Sequence, residues 1–137
     1  MDRRVFLIGS VLLFACGHRL AAPARGSTSA SPEDTFNCVK NQMTALGFKQ
    51  TSIDADEHRI SGTKIDMNTR RSDTQFRRLL NKLDVEVAPA ADGQTSIDVQ
   101  GHTFAEYTTQ RGPTEVEEKS SADVNSATQE LLTRCRS

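Results

Sequence analysis

Tryptophan is absent from this 137-residue chain, tyrosine occurs once, and aromatic residues make up only 5%. Hydrophobic residues reach a modest 36%. A strong charge of either sign is also missing. The 17 Lys and Arg are matched by 18 Asp and Glu, for a formal net charge of −1. That balance excludes the strongly basic composition of a nucleic-acid-binding domain. Past Leu20 no apolar run approaches the roughly 20 residues needed to cross a bilayer, so the rest of the chain is expected to be soluble. The common catalytic signatures are absent too: no G-x-S-x-G, no H-E-x-x-H, no glycine-rich phosphate loop and no serine–lysine motif. The three histidines, His18, His58 and His102, stand far apart in sequence. His102 and Glu106 are acid–base candidates, but on a strand residues four apart sit more than about 12 Å from each other at ~3.3 Å per residue.

The N-terminal segment carries the clearest signal. Arg3 and Arg4 form a positive lead, and Val5 to Phe14 form an apolar stretch. That length suits a secretory signal, where roughly 7–15 residues are typical, and is short for a membrane span. Leu13-Phe14-Ala15-Cys16 follows, with an aliphatic residue three before the cysteine and a small residue just before it. This pattern resembles the lipobox of bacterial lipoproteins, although Phe14 is larger than the usual occupant of its position. The resemblance covers about the first 17 residues. It implies that residues 1–15 are a signal peptide, that Cys16 receives a diacylglyceryl group, and that cleavage leaves Cys16 as an acylated N-terminus. Two or three acyl chains are what stable anchoring requires, since one binds only marginally. Gly17, not Asp, follows the cysteine. By similarity to lipoproteins of two-membrane bacteria, that favours the periplasmic face of the outer membrane. The competing readings are an ordinary signal cut after Ala22-Pro23-Ala24 and an uncleaved anchor.

Residues 17–31 are small and polar without periodicity, and such a stretch buries too little apolar surface to offset its ordering entropy. Residues 16–33 are therefore expected to be the lipidated cysteine and a flexible tether, with an r.m.s. reach of roughly 20 Å. Residues 34–137 are expected to form a single domain.

Within that domain, Ser31-Pro32-Glu33-Asp34 reads as a helix start. Phe36, Val39, Met43 and Leu46 supply one apolar stripe, and Gly47 a stop. Phe48–Ile53 and Arg59–Met67 read as strands, with a bulge near Gly62. Leu83–Ala88 reads as a strand. For residues 77–83 helix and strand spacing both fit, and the long strand expected at Thr95–Tyr107 tips the choice slightly toward strand. Residues 90–93 suggest a hairpin turn, and Gly101 a bulge. Glu115–Lys119 is charged and expected to be exposed. Ser120 is a candidate cap for a last helix carrying Val124, Ala127, Leu131 and Cys135. The expected order is helix, four strands, helix. This is an α+β two-layer sandwich, an antiparallel sheet with both terminal helices on one face. It is similar to the helix–sheet–helix domains of small bacterial envelope lipoproteins, a similarity that implies no activity.

That topology brings the start of the first helix to the end of the last. Cys38 and Cys135 therefore meet, and in an exported protein they are expected to form a disulfide. No C-x-x-C suggests redox catalysis. Arg70, Arg71, Arg77, Arg78 and Lys82 form a basic cluster, with Lys64 near it, that could contact anionic headgroups or an acidic protein. Asp54, Asp56, Glu57 and His58 share one turn, but their spacing matches neither an EF-hand nor a zinc motif. The resulting expectation is a non-catalytic envelope lipoprotein acting through protein or surface contacts, without cofactor, metal or nucleic acid. The alternative is a small-ligand or lipid carrier with its cavity between sheet and helices.

Overall fold

The computed structural model describes residues 20–136, so the expected signal peptide and Cys16 lie outside the described residues. Helix α1 spans Pro32–Ala45. Its cap is Ser31, whose hydroxyl accepts a hydrogen bond from the Asp34 amide at 3.1 Å. Glu33 and Asp34 occupy the positive end of its dipole. The helix closes as the Leu46 amide donates to the Gln42 carbonyl at 2.9 Å, and Gly47 then turns the chain with φ +88°. Helix α2 spans Ala122–Arg136. Its cap is Ser121 rather than the expected Ser120: the Ser121 hydroxyl accepts from the Val124 amide at 3.2 Å. Ser121 is selected because it is also tied to the sheet. Its amide donates to Thr103 Oγ1 at 2.9 Å, and its hydroxyl to Asn81 Oδ1 at 2.9 Å.

Six strands are found among the described residues, two more than expected: β1 (Ala22–Thr28), β2 (Lys49–Asp54), β3 (Arg59–Asp66), β4 (Phe76–Pro89), β5 (Thr95–Thr109) and β6 (Gly112–Glu118). All pairings are antiparallel, in the order β1-β5-β4-β3-β2, with β6 also on β5. The ambiguous residues 77–83 are strand, because β4 runs alongside β5 from the Phe76–Tyr107 pair to the Pro89–Thr95 pair. Residues 22–28 are not tether. They pair with β5 from Ala22–Gly101 to Thr28–Thr95, and the domain therefore begins earlier than residue 34. Composition concealed this strand because an edge strand buries little: only Ala24 and Thr28 of β1 are buried. Its backbone pairing with β5 supplies what its side chains do not. Glu115–Lys119, expected only as an exposed charged stretch, falls largely in β6, whose acids meet Lys82, His102 and Arg71.

Both helices lie on one face of the sheet. Alternation along β4 and β5 turns Leu83, Val85, Val87, Ile97 and Val99 toward them, into a core shared with Phe36, Val39, Met43, Val124 and Leu131. Gly62, Leu83 and Gly101 are cross-strand neighbours in one row. The two glycines explain how closely the helices settle. A Cβ at Gly62 would lie 2.6 Å from Met43 Sδ, and one at Gly101 would lie 2.8 Å from Thr128 Cγ2 and 2.9 Å from Val124 Cγ2. Gly101 is thus a site of close approach, not a bulge, for β5 keeps register on both sides of it. The irregularity expected near Gly62 belongs to its partner β2, between Gln50 and Ser52.

The start of α1 meets the end of α2, and Cys38 is bonded to Cys135 with a Cα–Cα distance of 5.7 Å, within the ordinary range for a disulfide. Arg134 reaches across the same helix pair to Gln42 Oε1 at 2.8 Å.

Candidate functional site: the open face of the sheet

The helices cover one face of the sheet and leave the other without a second layer. Register assigns the residues of this open face to cross-strand rows. Ile65, Leu80, Phe104 and Glu117 form one row, and Thr63, Lys82 and His102 the next. Ser61, Asp84 and Gln100 form a third, and Arg59, Glu86, Asp98 and Arg25 a fourth. The apolar row has a buried centre, Leu80 at 5% exposure, and an exposed flank, Ile65 at 48%. Met67, two residues beyond Ile65, is 61% exposed. The Lys82 ammonium sits 4.5 Å from the centre of the Phe104 ring, a cation–π contact that covers the ring.

Around the apolar row the charges are paired. Arg78 meets Glu106 at 3.1 Å, Lys82 meets Glu115 at 2.9 Å, Arg59 meets Glu86 at 3.2 Å and Arg25 meets Asp98 at 3.2 Å. His102 stands between two carboxylates, with Nδ1 2.8 Å from Glu117 and Nε2 3.4 Å from Asp84. Asp84 also accepts from the Ser61 hydroxyl at 2.5 Å. Two depressions open on this side. One, of about 280 Å³, lies over Arg59, Ser61, Asp84, Glu86, Asp98 and Gln100. The Asp98 Oδ1 atom there is buried without a hydrogen-bond donor, so it retains acceptor capacity. The other, of about 470 Å³, lies over Leu20, Pro23, Gln100, His102 and Glu117 at the sheet's edge.

The basic cluster singled out in the sequence is not gathered into one patch. Arg78 and Lys82 belong to the open face and are ion-paired there. Arg71 forms a bidentate pair with Glu118, donates to the Tyr107 hydroxyl at 3.3 Å and lies 4.7 Å from the Phe76 ring centre. It thereby pins the 67–75 loop onto β5 and β6. The hydrogen bond to Glu118 is the main cause raising the Arg71 pKa, and its reciprocal is the main cause holding Glu118 below the usual glutamate range, against the opposing effect of burial. Arg77 donates to the Thr108 hydroxyl at 3.1 Å. Arg70 is exposed, with no ion pair among the described residues. Lys64 is elsewhere, donating to the Leu46 carbonyl at the end of α1 at 3.2 Å.

The acidic turn has a local role. Asp54 accepts from the amides of Asp56 and Glu57 at 3.2 and 3.1 Å, which shapes the β2–β3 connection. Asp66 does the same after β3, and the Thr69 hydroxyl, followed by the Asn68 amide, lowers its pKa. The His102–Glu106 pair considered in the sequence is not formed, for Glu106 serves Arg78 while His102 serves Glu117 and Asp84. Sequence reasoning missed this carboxylate–imidazole–carboxylate bridge. Once Ile97 and Val99 are placed inward, alternation does put His102 outward. Its partners come from β4 and β6, and only sheet order reveals them. No known protein family matches the chain, and no curated protein matches it.

Proposed function

We propose that this chain is a membrane-anchored, non-catalytic lipoprotein of the bacterial cell envelope, working through contacts made by the open face of its sheet. The observation that carries the reading is the Cys38–Cys135 bond. A structural disulfide persists in exported compartments, which is where the lipobox-like Leu13-Phe14-Ala15-Cys16 would send the chain. The surface half of the reading is supported by the apolar row Ile65, Leu80 and Phe104 inside its frame of paired charges. An interface core of this kind, apolar with a polar rim, suits a protein partner. The carrier reading has less support. Its cavity would lie between helices and sheet, where Val39, Met43, Leu83, Val99, Val124 and Leu131 are all fully buried and where glycines draw the helices close.

The test is expression in a two-membrane bacterium, followed by membrane fractionation and intact mass. A membrane-bound protein beginning at an acylated Cys16 is expected, with Cys16→Ser abolishing acylation. A wild-type product without acyl chains, or one cut beyond residue 16, overturns the reading.

A further inference from the structure

Strand β1 removes most of the expected tether, and with it the domain's freedom above the membrane. The chain is already fixed at Leu20, whose carbonyl accepts from the Ser120 amide at 2.9 Å. From there β1 pairs along β5 residue by residue. Only four peptide steps separate Cys16 from Leu20. Even fully extended they span at most about 13–14 Å, at ~3.3–3.6 Å per residue. The lipid anchor would therefore hold the region around Leu20 against the bilayer.

That region is a composite edge. β6 pairs with β5 from Thr109 to Thr103, and β1 takes over from Gly101 to Thr95, so the two strands lie end to end along the same side of β5. Leu20 sits at their junction, beside Ser120. The exposed side chains near it are Leu20 and Pro23 from the N-terminal segment and Lys119 from the end of β6. Arg136 adds a cation farther along the edge, on the helix side of β1, where its Cδ lies 3.2 Å from the place a Cβ of Gly26 would take; Gly26 is about 20 Å from Leu20 at ~3.3 Å per residue. Lys119 and Arg136 have no ion pair among the described residues. The open face differs. Asp84, Glu86, Asp98, Glu106, Glu115 and Glu117 outnumber Arg25, Arg59, Arg78 and Lys82 there, and the acids that the edge strand β6 contributes, Glu115, Glu117 and Glu118, are taken up by Lys82, His102 and Arg71. An anionic surface would repel that face and attract the edge.

We propose that the β1–β6 edge, centred on Leu20 with Lys119 beside it and Arg136 farther along β1, is the surface on which the domain rests against anionic phospholipid headgroups. The sheet then stands edge-on. β2, four strand spacings of ~4.8 Å from β1, is held roughly 19 Å further out, and the open face projects sideways, accessible to a partner. This rests on the lipoprotein reading, since the anchor at Cys16 sets the distance.

The absence of tryptophan makes the test direct. Full-length protein is expressed with one tryptophan reporter at a time: Pro23→Trp or Leu20→Trp at the edge, and Gln50→Trp on β2. The purified acylated proteins are placed in phosphatidylethanolamine–phosphatidylglycerol vesicles containing lipids brominated high on the acyl chain. Intact mass of each sample reads acylation, and circular dichroism reads folding. Severalfold stronger quenching is expected for either edge reporter than for the β2 reporter. The second edge reporter decides the matter if the first variant fails to fold. Equal quenching at edge and β2, whether strong or absent, in protein carrying acyl chains overturns the edge-on placement and leaves the anchor standing. An unacylated Cys16 overturns the anchor reading and the edge proposal together.

Discussion

At the scale of single residues, a side chain's absence matters as much as its presence. Gly101 has no positive φ to accommodate; it is needed because α2 crosses its Cα. Gly101→Ala places a methyl group against Val124 and Thr128, and overpacking of this kind costs about 1–3 kcal/mol. The expected outcome is a lower urea midpoint with an unchanged slope, and an unchanged midpoint would show that α2 sits farther from β5. Arg71 and Glu118 make the opposite case, where an added interaction fastens a loop. Because Glu118 is held below the usual glutamate range in the folded protein, its contribution is complete above that range. It is lost as pH falls through the depressed folded value. Urea midpoints of the wild type and Glu118→Gln should therefore differ near neutrality and converge as the pH falls below the depressed folded value. A gap that persists unchanged in acid would mean that ionisation of Glu118 does not contribute.

At the scale of elements, the edges of the sheet departed furthest from the sequence reading. The two helices were legible because each carries its own period, and the first also its cap and stop; the cap of α2 fell one residue later than expected. β4 and β5 were legible where apolar alternation is clear, at Leu83–Val87 and Ile97–Val99. β1 and β6 carry no such pattern: GST and EVEE are short, polar or charged, and both strands exist because β5 is long enough to pair with each in turn. The backbone, not side-chain burial, makes them strands. Hydrogen exchange tests this. Those amides of residues 22–28 that bond to β5 should be protected well above the rate of an unstructured peptide, as sub-global stability requires. Exchange at the unprotected rate across the whole stretch would restore a free tether.

At the scale of the whole molecule, the chain is closed on itself by one covalent link spanning 97 residues. Loops of about that length lose up to ~4.7 kcal/mol of unfolded-state freedom in the loop-entropy account, with ~2–4 typical in practice. For a domain whose total stability is expected at about 5–15 kcal/mol, that share is large. Reduction, or the paired change Cys38→Ala and Cys135→Ala, should lower the urea midpoint of unfolding while leaving the far-ultraviolet circular dichroism spectrum native at low denaturant. A midpoint indifferent to reductant would place the stability elsewhere, in the glycine-seated helix packing.

Local sequence was enough to specify the first helix with its cap and stop, the apolar stripe of the second, the inward faces of the central strands and the α+β class, and it anticipated the meeting of Cys38 with Cys135. The first four follow from periodicity and local turn chemistry, which are written in neighbouring residues; the cysteines meet because α2 runs on in the direction of β6, a strand the sequence reading did not include. Packing in three dimensions was needed to make residues 22–28 a strand and to set β6 along the same edge. It alone dispersed the basic cluster among separate partners and showed that Gly62 and Gly101 seat the helices. Each of these depends on which residues lie opposite one another across the sheet, and sheet order is set by hydrogen bonding and packing between segments far apart in the chain.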